Sequence, residues 1–151
     1  DALLGRAAVY VNDGEYENAL RIYQQLLVVN PKDSQAMASL ISVANVDPAL
    51  GESEIKRLLQ EQQDAAYLHF ALGNMYGSQN RWQEAQTAYF EALRLDPDDP
   101  NYAYNLAVSL EHIQQPQAAL QFYQRALENR NNARGNFDAS LVAQRIEVLN
   151  Q

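Results

Sequence analysis

Residues 66–99 read AYLHFALGNMYGSQNRWQEAQTAYFEALRLDPDD, and residues 100–133 follow the same order of large and small side chains. A shift of 34 residues superimposes Leu72 on Leu106, Ala85 on Ala119, Tyr89 on Tyr123 and Ala92 on Ala126. An earlier copy has Ala7, Tyr10, Ala19, Tyr23 and Pro31 in the same slots. A period of this length indicates a protein built from stacked helical repeats.

Each copy has the pattern of a helical hairpin. Leu72 and Tyr76 are four residues apart, as one face of a helix requires. Residues 77–80 interrupt the pattern, a second helix runs through Ala85, and Pro97 follows its end. The sequence therefore predicts an all-α fold.

This pattern resembles the tetratricopeptide repeat family. The best copy carries the family's slots as Leu72, Gly73, Tyr76, Ala85, Tyr89, Ala92 and Pro97. The resemblance implies antiparallel hairpins stacked in a right-handed superhelix, a solenoid in which the first helix of each hairpin lines a concave groove. The chain departs from the family's pattern at His69, Arg6, Ala107 and Pro116.

We expect a single domain over residues 1–151, with repeats at about 1–33, 34–65, 66–99 and 100–133 and a capping helix at about 137–150. The second repeat is degenerate and two residues short, and we expect the loss to fall in its turn. Its first helix is predicted over residues 35–46, ended by Asp47-Pro48, and its second is predicted to be a short helix from Ser53.

Residues 136–151 are predicted to form the cap that an exposed end of a repeat array needs. Asp138 suits the N-cap position, and Phe137 can pack on Val142 as a hydrophobic staple. The buried stripe is predicted at Leu141, Val142, Ile146 and Leu149, with Gln144, Arg145, Glu147 and Gln151 facing water. We therefore expect the array to end here and missing sequence to lie upstream of residue 1.

Composition disfavours several classes of partner. The chain has 11 Lys and Arg against 19 Asp and Glu, and this net charge of −8 disfavours nucleic acid and anionic lipid. It has no cysteine, which excludes disulfides and thiolate metal ligands. It also lacks the apolar run of about 18 residues that a membrane helix needs. We expect no nucleic-acid partner and no membrane contact by this segment.

No catalytic motif is present, so we predict that the protein is not an enzyme and uses no cofactor. His69 and His112 are far apart in the repeat register and are expected to pack or face solvent. Asp96, Asp98 and Asp99 belong to a turn between repeats and lack the loop that calcium requires. No metal site is predicted, and an enzyme or ligand-binding domain is the least favoured alternative.

The resemblance assigns partner binding to the concave face formed by the first helices. In the first two repeats this face holds Leu4, Ala8, Val11, Asn12, Gln35, Ala38, Ser42 and Asn45. In the last two repeats this face holds Ser78. It also holds the predicted partner-binding residues, which are Tyr67, Phe70, Asn74, Asn101, Tyr104, Asn105, Val108, Glu111 and His112. Aromatic rings supply contact area, and asparagine can pair with both groups of a peptide backbone, so this half is the predicted site for a protein or peptide. For Phe70 and Tyr104, packing between hairpins is an equal alternative.

Asn74 and Asn105 match two slots of the clamp by which some family members bind the C-terminal carboxylates of chaperones. The basic slots of that clamp hold uncharged residues here, among them Phe70 and Ala71. We therefore expect the groove to take a neutral, apolar or cationic segment.

Three stretches carry a narrower resemblance. Residues 69–93 (HFALGNMYGSQNRWQEAQTAYFEAL), 101–112 (NYAYNLAVSLEH) and 136–138 (NFD) resemble the C-terminal repeat region of bacterial envelope proteins. Those proteins take part in biogenesis of type IV pili of the mannose-sensitive haemagglutinin kind. The resemblance implies a scaffold in the bacterial periplasm, tethered to the inner membrane by an upstream segment. The alternative is an adaptor or co-chaperone-like module in the cytoplasm.

The N-terminal edge is a second candidate surface. Leu3, Leu4 and Ala7 lie on the first helix of the first repeat. We expect them to pack on an upstream repeat or, through self-association, on a second copy of the chain.

Overall fold

The computed structural model describes residues 2–130 and 135–151, which form nine α-helices and no strand. The helices are α1 Ala2–Asn12, α2 Tyr16–Val29, α3 Ser34–Ala44, α4 Pro48–Glu61, α5 Ala66–Ser78, α6 Trp82–Leu95, α7 Pro100–His112, α8 Pro116–Arg130 and α9 Ala139–Leu149. The all-α prediction is confirmed. The predicted repeat ends at residues 1 and 133 lie outside the described residues.

The chain divides into two compact units, unit 1 (Asp1–Met75) and unit 2 (Tyr76–Gln151). In unit 1, α2 contacts both α1 and α3, and α3 contacts α4. In unit 2, α7 contacts α6 and α8, and α8 contacts α9. The division of the chain into a single domain of four repeats stays a prediction.

A fully buried alanine occupies the same slot in three of the second helices. Ala19, Ala85 and Ala119 are each 0% exposed, and the tyrosine four residues after each of them is also buried. Protein interiors are packed as densely as organic crystals, so a larger side chain at these alanines would push the packed helices apart. The predicted small-residue slots are therefore confirmed.

Three of the four hairpin turns share one backbone conformation. Gly14, Asn80 and Gln114 have positive φ angles of 75°, 59° and 63°. After each of them, the next residue donates its N–H to the carbonyl five residues earlier, at 2.8–2.9 Å. This is a Schellman ending, in which a left-handed residue lets backbone groups at the end of a helix pair with each other.

The shortening of the second repeat falls in a helix, so the expectation that its turn is short was wrong. Its turn has three residues, 45–47, as do the turns of the other hairpins. The two missing residues come from α3, which has 11 residues where α5 and α7 have 13. The hairpin keeps the chain reversal and loses part of one helix end.

The second helix of this repeat is also longer than predicted. α4 has 14 residues, as α2 and α6 have, and it begins at Pro48 instead of Ser53. The Asp47 carboxylate accepts a hydrogen bond from the N–H of Leu50 at 3.2 Å. Proline suits the first turn of a helix, where its missing N–H is not needed. The Asp-Pro pair expected to stop α3 therefore starts α4.

Gly51 stands in this repeat where the others have the buried alanine. A Cβ atom at Gly51 would lie 2.2 Å from the carbonyl oxygen of Ala44, so α3 and α4 meet at backbone contact. Ile55 and Leu58 are buried, and Leu59 is half-buried. The degenerate repeat thus packs its helices more closely than an alanine would allow.

The last helix keeps its predicted cap but not its whole predicted stripe. The Asp138 carboxylate accepts hydrogen bonds from the N–H groups of Ser140 and Leu141, at 2.8 and 3.4 Å. Val142 is buried, whereas Leu141 is 62% exposed because it points about 100° away from Val142 around the helix. Arg145, which was expected only to face water, binds a carboxylate of α7.

Candidate partner-binding surface

A groove opens on unit 1 between α1 and α3, with Tyr23 of α2 at its floor. Its volume is about 440 Å³. The lining residues are Ala8, Val11, Asn12, Tyr23, Gln35, Ala38, Ser39, Ser42 and Val43. All but Tyr23, Ser39 and Val43 belong to the face predicted to be concave in the first two repeats.

The groove carries no charged side chain. Its apolar surface comes from side chains such as Val11, Val43 and the buried Tyr23, and its hydrogen-bonding groups are amides and hydroxyls. Ala8 and Ala38 are exposed and end at Cβ, which leaves the space that longer side chains would fill. Such a lining suits an uncharged segment that brings its own backbone N–H and C=O groups.

Local capping sets where one wall of the groove begins. The Asp33 carboxylate accepts hydrogen bonds from the N–H groups of Gln35 and Ala36, both at 3.0 Å. These bonds satisfy two of the free N–H groups in the first turn of α3 and favour a helix start at Ser34. Gln35 is therefore placed at the mouth of the groove by its own neighbours in sequence.

The predicted site residues of α5 lie in unit 1, and they are less exposed than expected. Tyr67 is buried, and its hydroxyl donates a hydrogen bond to Oε1 of Gln62 at 2.9 Å. Burial raises the pKa of Tyr67 above the usual tyrosine value, although a hydrogen bond with Gln24 acts against this. Phe70 and Asn74 are half-buried. Tyr67 thus serves the interior of unit 1 and offers little surface to a partner.

The predicted residues of α7 lie in unit 2, where the C-terminal segment covers three of them. Oδ1 of Asn101 accepts a hydrogen bond from the N–H of Asn136 at 2.6 Å. The ring of Tyr104 stacks on Phe137, with centroids 4.8 Å apart and planes 14° from parallel. Tyr104 therefore packs within unit 2, as the equal alternative had it. Its contact comes from the tail and not from a neighbouring hairpin.

Glu111 joins three helices of unit 2. Its carboxylate accepts hydrogen bonds from Nε of Arg145, 2.9 Å from both oxygens, and from Nη2 of the same residue. The hydroxyl of Tyr123 donates to Oε1 at 2.7 Å. The Arg145 guanidinium, more than Tyr123, holds the pKa of Glu111 below its usual value, and burial raises the pKa of Tyr123. Glu111 is therefore a structural anchor for α9.

For three predicted residues on α7, the described structure shows no hydrogen bond, ion pair or ring contact with the tail. Nδ2 of Asn105 donates to the carbonyl of Asn101 within the same helix at 2.8 Å, and Val108 is half-buried. His112 is exposed and stacks on Trp82, with centroids 3.7 Å apart and planes 1° from parallel. Asn105, Val108 and His112 are spaced by three and four residues, so they form one continuous stripe on the helix.

The sequence pointed to the aromatic residues of the last two repeats, and the structure also opens a groove in the first two repeats. The sequence could have indicated this groove through Ala8 and Ala38, which are small residues at exposed positions of successive first helices. In α7, by contrast, the large ring of Tyr104 found an intramolecular partner 33 residues away.

The described residues hold no group of three or more His, Asp or Glu side chains placed to bind a metal ion. Among the described helices, none has the length and apolar character needed to cross a bilayer. Asp99, from the acidic turn, is buried and caps α7 by accepting from the N–H groups of Asn101 and Tyr102.

Known proteins share this fold at low sequence identity. A crystal structure of MamA aligns with a TM-score of 0.65 and 16% identity, covering 95% of this chain and 81% of that one. A structure of PilF from Pseudomonas aeruginosa aligns with a TM-score of 0.64 and 23% identity, covering 99% of this chain and 66% of that one. At these identities the two alignments show the fold alone.

A curated relative and two family models match the sequence itself. Human protein O-mannosyl-transferase TMTC1 is 30% identical over 95 residues, which cover 62% of this chain and 11% of the human protein. Sequence models of the tetratricopeptide repeat match residues 2–36 and 70–136. Both ranges include a complete pair of helices, α1 with α2 and α7 with α8. The chain therefore belongs to the tetratricopeptide repeat family.

Proposed function

We propose that this protein is an interaction scaffold, without catalytic activity, that binds an uncharged segment of a protein partner against its first helices. We further propose that it does so in the assembly of a bacterial envelope machine such as a type IV pilus. The observation that carries the first proposal is the uncharged groove of about 440 Å³ between α1 and α3.

The chemistry of the groove supports a peptide backbone as its ligand. Asn12, Gln35 and Ser42 can donate to and accept from a backbone, and a buried amide or hydroxyl is stable only when it is hydrogen-bonded. The spaces beside Ala8 and Ala38 accept small or apolar side chains. The stripe of Asn105, Val108 and His112 on α7 is a second surface of similar polarity, and we keep it in the proposal.

The pilus assignment is supported by the resemblance of residues 69–93 and 101–112 to envelope proteins of pilus biogenesis. PilF from Pseudomonas aeruginosa shares the fold. Under this proposal the chain works in the periplasm. A cytoplasmic adaptor is the alternative, and fractionation of cells that carry the tagged full-length protein separates the two.

The groove is tested by Ala38→Glu, with Gln25→Glu as the matched control on the exposed surface of α2. A carboxylate at residue 38 would be desolvated by a bound segment without a partner, so we expect captured partner to fall about tenfold or more. Capture is measured with a photo-crosslinker on the full-length protein in its host, followed by mass spectrometry. Unchanged capture by Ala38→Glu and by Val108→Glu on α7 would refute binding by the first helices.

The cellular role is tested in a piliated host that carries the gene. Deletion should remove surface pili, and the parent protein and Gln25→Glu should restore them, whereas Ala38→Glu should not. Pili at the parental level in the deletion strain would contradict the proposed role in pilus assembly and leave the binding proposal standing.

A further inference from the structure

Three exposed carboxylates border one end of the groove on unit 1. Consecutive helices joined by short turns run antiparallel, so α1 and α3 run in the same direction and end at the same side of the unit. Asp13 and Glu15 lie in the turn after α1, and Asp47 lies in the turn after α3. Asn12, the last residue of α1, and Ser42, near the last residue of α3, line the groove. We call the three carboxylates the acidic end of the groove.

No basic side chain from the same stretches of sequence offsets the acidic end. The chain has no Lys, Arg or His in residues 7–20 or in residues 33–55. The first basic residues after those ranges, Arg21 and Lys56, are each paired with a glutamate of α4. Within the described residues, none of the three carboxylates forms an ion pair. The partial negative charge at the C-termini of α1 and α3 adds to theirs.

The opposite end of the groove is close to neutral. There the Asp33 carboxylate accepts hydrogen bonds from the N–H groups of Gln35 and Ala36, at the start of α3. The partial positive charge of that helix start faces this carboxylate, and Lys32 stands next to it in the turn. The groove therefore has negative charge in excess at one end only.

The hairpin turns of unit 2 show that these carboxylates are not a general feature of the repeat. Residues 79–81 read Gln-Asn-Arg and residues 113–115 read Ile-Gln-Gln, at the places of the turns after α1 and α3. Neither turn has an acidic residue, although the chain has 19 Asp and Glu. Carboxylates in the hairpin turns thus accompany the unit in which the groove lies.

The length of the groove sets how much of a partner fits between its two ends. Gln35 and Val43, both in the lining, are eight residues apart, which is about 12 Å along α3. An extended segment covers that distance with about four residues, at about 3.3 Å per residue. The next residue of the segment would then lie beside the acidic end.

We propose that the segment bound in this groove is an uncharged stretch with a lysine or arginine directly beside it, and that this cation lies against the acidic end. The choice of partner chemistry rests on the proposed function, because it requires that the groove binds a segment at all. A complementary charge at one end of an uncharged groove fixes the direction and register of the segment and speeds its association.

The probe is a phage library of peptides with about eight randomised positions, enough for about four residues in the groove and about two on each flank. It is selected on the immobilised 151-residue chain at low salt. Selected peptides should have an uncharged core with Lys or Arg on one flank. A synthetic copy of the strongest binder should bind Ala38→Glu at least about tenfold more weakly than the parent, because the carboxylate would be buried in the groove.

The acidic end is tested by combining Asp13→Ser with Glu15→Gln, which leaves Asp47 to cap α4. This variant should bind the peptide about threefold to tenfold more weakly, since exposed ion pairs are individually weak. Replacing the basic residue of the peptide by glutamine should cause a similar loss with the parent and little further loss with the variant. Asp98→Ser with Glu128→Gln, at exposed residues of unit 2, changes the net charge equally and should bind like the parent.

The outcomes separate the two proposals. Peptides that require the groove, as judged by Ala38→Glu, but show no preference for Lys or Arg overturn the cationic partner and leave the proposed function standing. An equal loss of affinity in the unit 2 control also overturns it, because net charge would then explain the effect. Peptides that bind Ala38→Glu as well as the parent, or a library without binders, overturn binding in the groove and the cationic partner together.

Discussion

Two glycines inside helices of unit 1 meet opposite surroundings. A Cβ on Gly51 would meet the backbone oxygen of Ala44 at 2.2 Å, whereas a Cβ on Gly5 would meet nothing within 4 Å. Glycine costs a helix interior about 0.5–1 kcal/mol relative to alanine, mainly in backbone entropy. At Gly51 this cost is offset by the close approach of α3 and α4, and at Gly5 no contact within the described chain offsets it.

Gly51→Ala and Gly5→Ala should therefore change stability in opposite directions. We expect Gly51→Ala to lower the free energy of unfolding by about 1–3 kcal/mol, because backbone atoms must move apart. We expect Gly5→Ala to raise it by about 0.5–1 kcal/mol. Urea titrations at low protein concentration measure both. A Gly51→Ala protein as stable as the parent would show that the two helices do not meet at this glycine.

At the scale of helices, one carboxylate attaches α9 to its neighbours. Glu111 of α7 binds Arg145 of α9 and Tyr123 of α8, while Tyr104 stacks on Phe137 just before α9. The Arg145 guanidinium is the main reason that the pKa of Glu111 is lowered. Because the folded state favours the charged carboxylate, the stabilisation is present above the unfolded pKa of about 4.5 and is lost as pH falls through the folded pKa.

Glu111→Gln should remove this pH-dependent contribution. We expect the variant to be about 1–2 kcal/mol less stable than the parent near neutral pH, since hydrogen bonds to a charged group are lost. The difference should shrink as pH falls from about 4.5, where the unfolded chain takes up the proton, through the lowered pKa of the folded carboxylate. Thermal melts of both proteins between about pH 3 and pH 7 measure it. Glu147→Gln, at an exposed carboxylate of α9, is the control and should track the parent at low protein concentration.

A difference that stays constant over the whole pH range would mean that Glu111 acts through packing and not through its charge.

Glu54 in unit 1 should add a second acid-sensitive contribution of the same sign. Its pKa is lowered chiefly by its hydrogen bonds with Arg57. Parent melts at low pH therefore report both carboxylates, and Glu111→Gln isolates one of them.

At the scale of the whole molecule, acidic residues outnumber basic ones by 19 to 11. Neither the groove on unit 1 nor the stripe of Asn105, Val108 and His112 includes a lysine or an arginine. An anionic ligand therefore meets a net negative molecule and finds no cation in either place. The surface electrostatics favour neutral or cationic partners.

A synthetic peptide with an acidic C-terminal tail should consequently fail to bind. We expect no measurable heat in titration calorimetry at peptide concentrations up to about 1 mM, which corresponds to a binding free energy weaker than about −4 kcal/mol. The same measurement at low and high salt is the control, since attraction between charges weakens as salt rises. Micromolar binding that high salt abolishes would reveal a cationic clamp. It would contradict the conclusion that these surfaces favour neutral or cationic partners.

Much of the fold was predictable because its determinants are close together in the chain. The slots of Ala85 and Tyr89 recur in three repeats, and their spacing alone indicates paired helices. Asp138 was predicted as a cap because a carboxylate reaches N–H groups two and three residues later. The same local rule, applied to Asp47, would have predicted that α4 begins at Pro48. Asp47-Pro48 was instead interpreted as the end of α3, because the proline was considered and the capping carboxylate of Asp47 was not.

The sequence by itself determined the all-α class, most of the helices and the membership of the family, since these depend on interactions within about one repeat. Only the tertiary structure decided which predicted surface stays open. Tyr104, for which packing was an equal alternative to partner binding, stacks on Phe137, and Glu111, a predicted partner-binding residue, binds Arg145. These contacts join residues 33 and 34 positions apart. Such contacts depend on where a separate helix packs, which the local pattern of residues around Tyr104 and Glu111 does not determine. The groove between α1 and α3 was settled in the same way, by small side chains on two helices that the chain brings together only when folded.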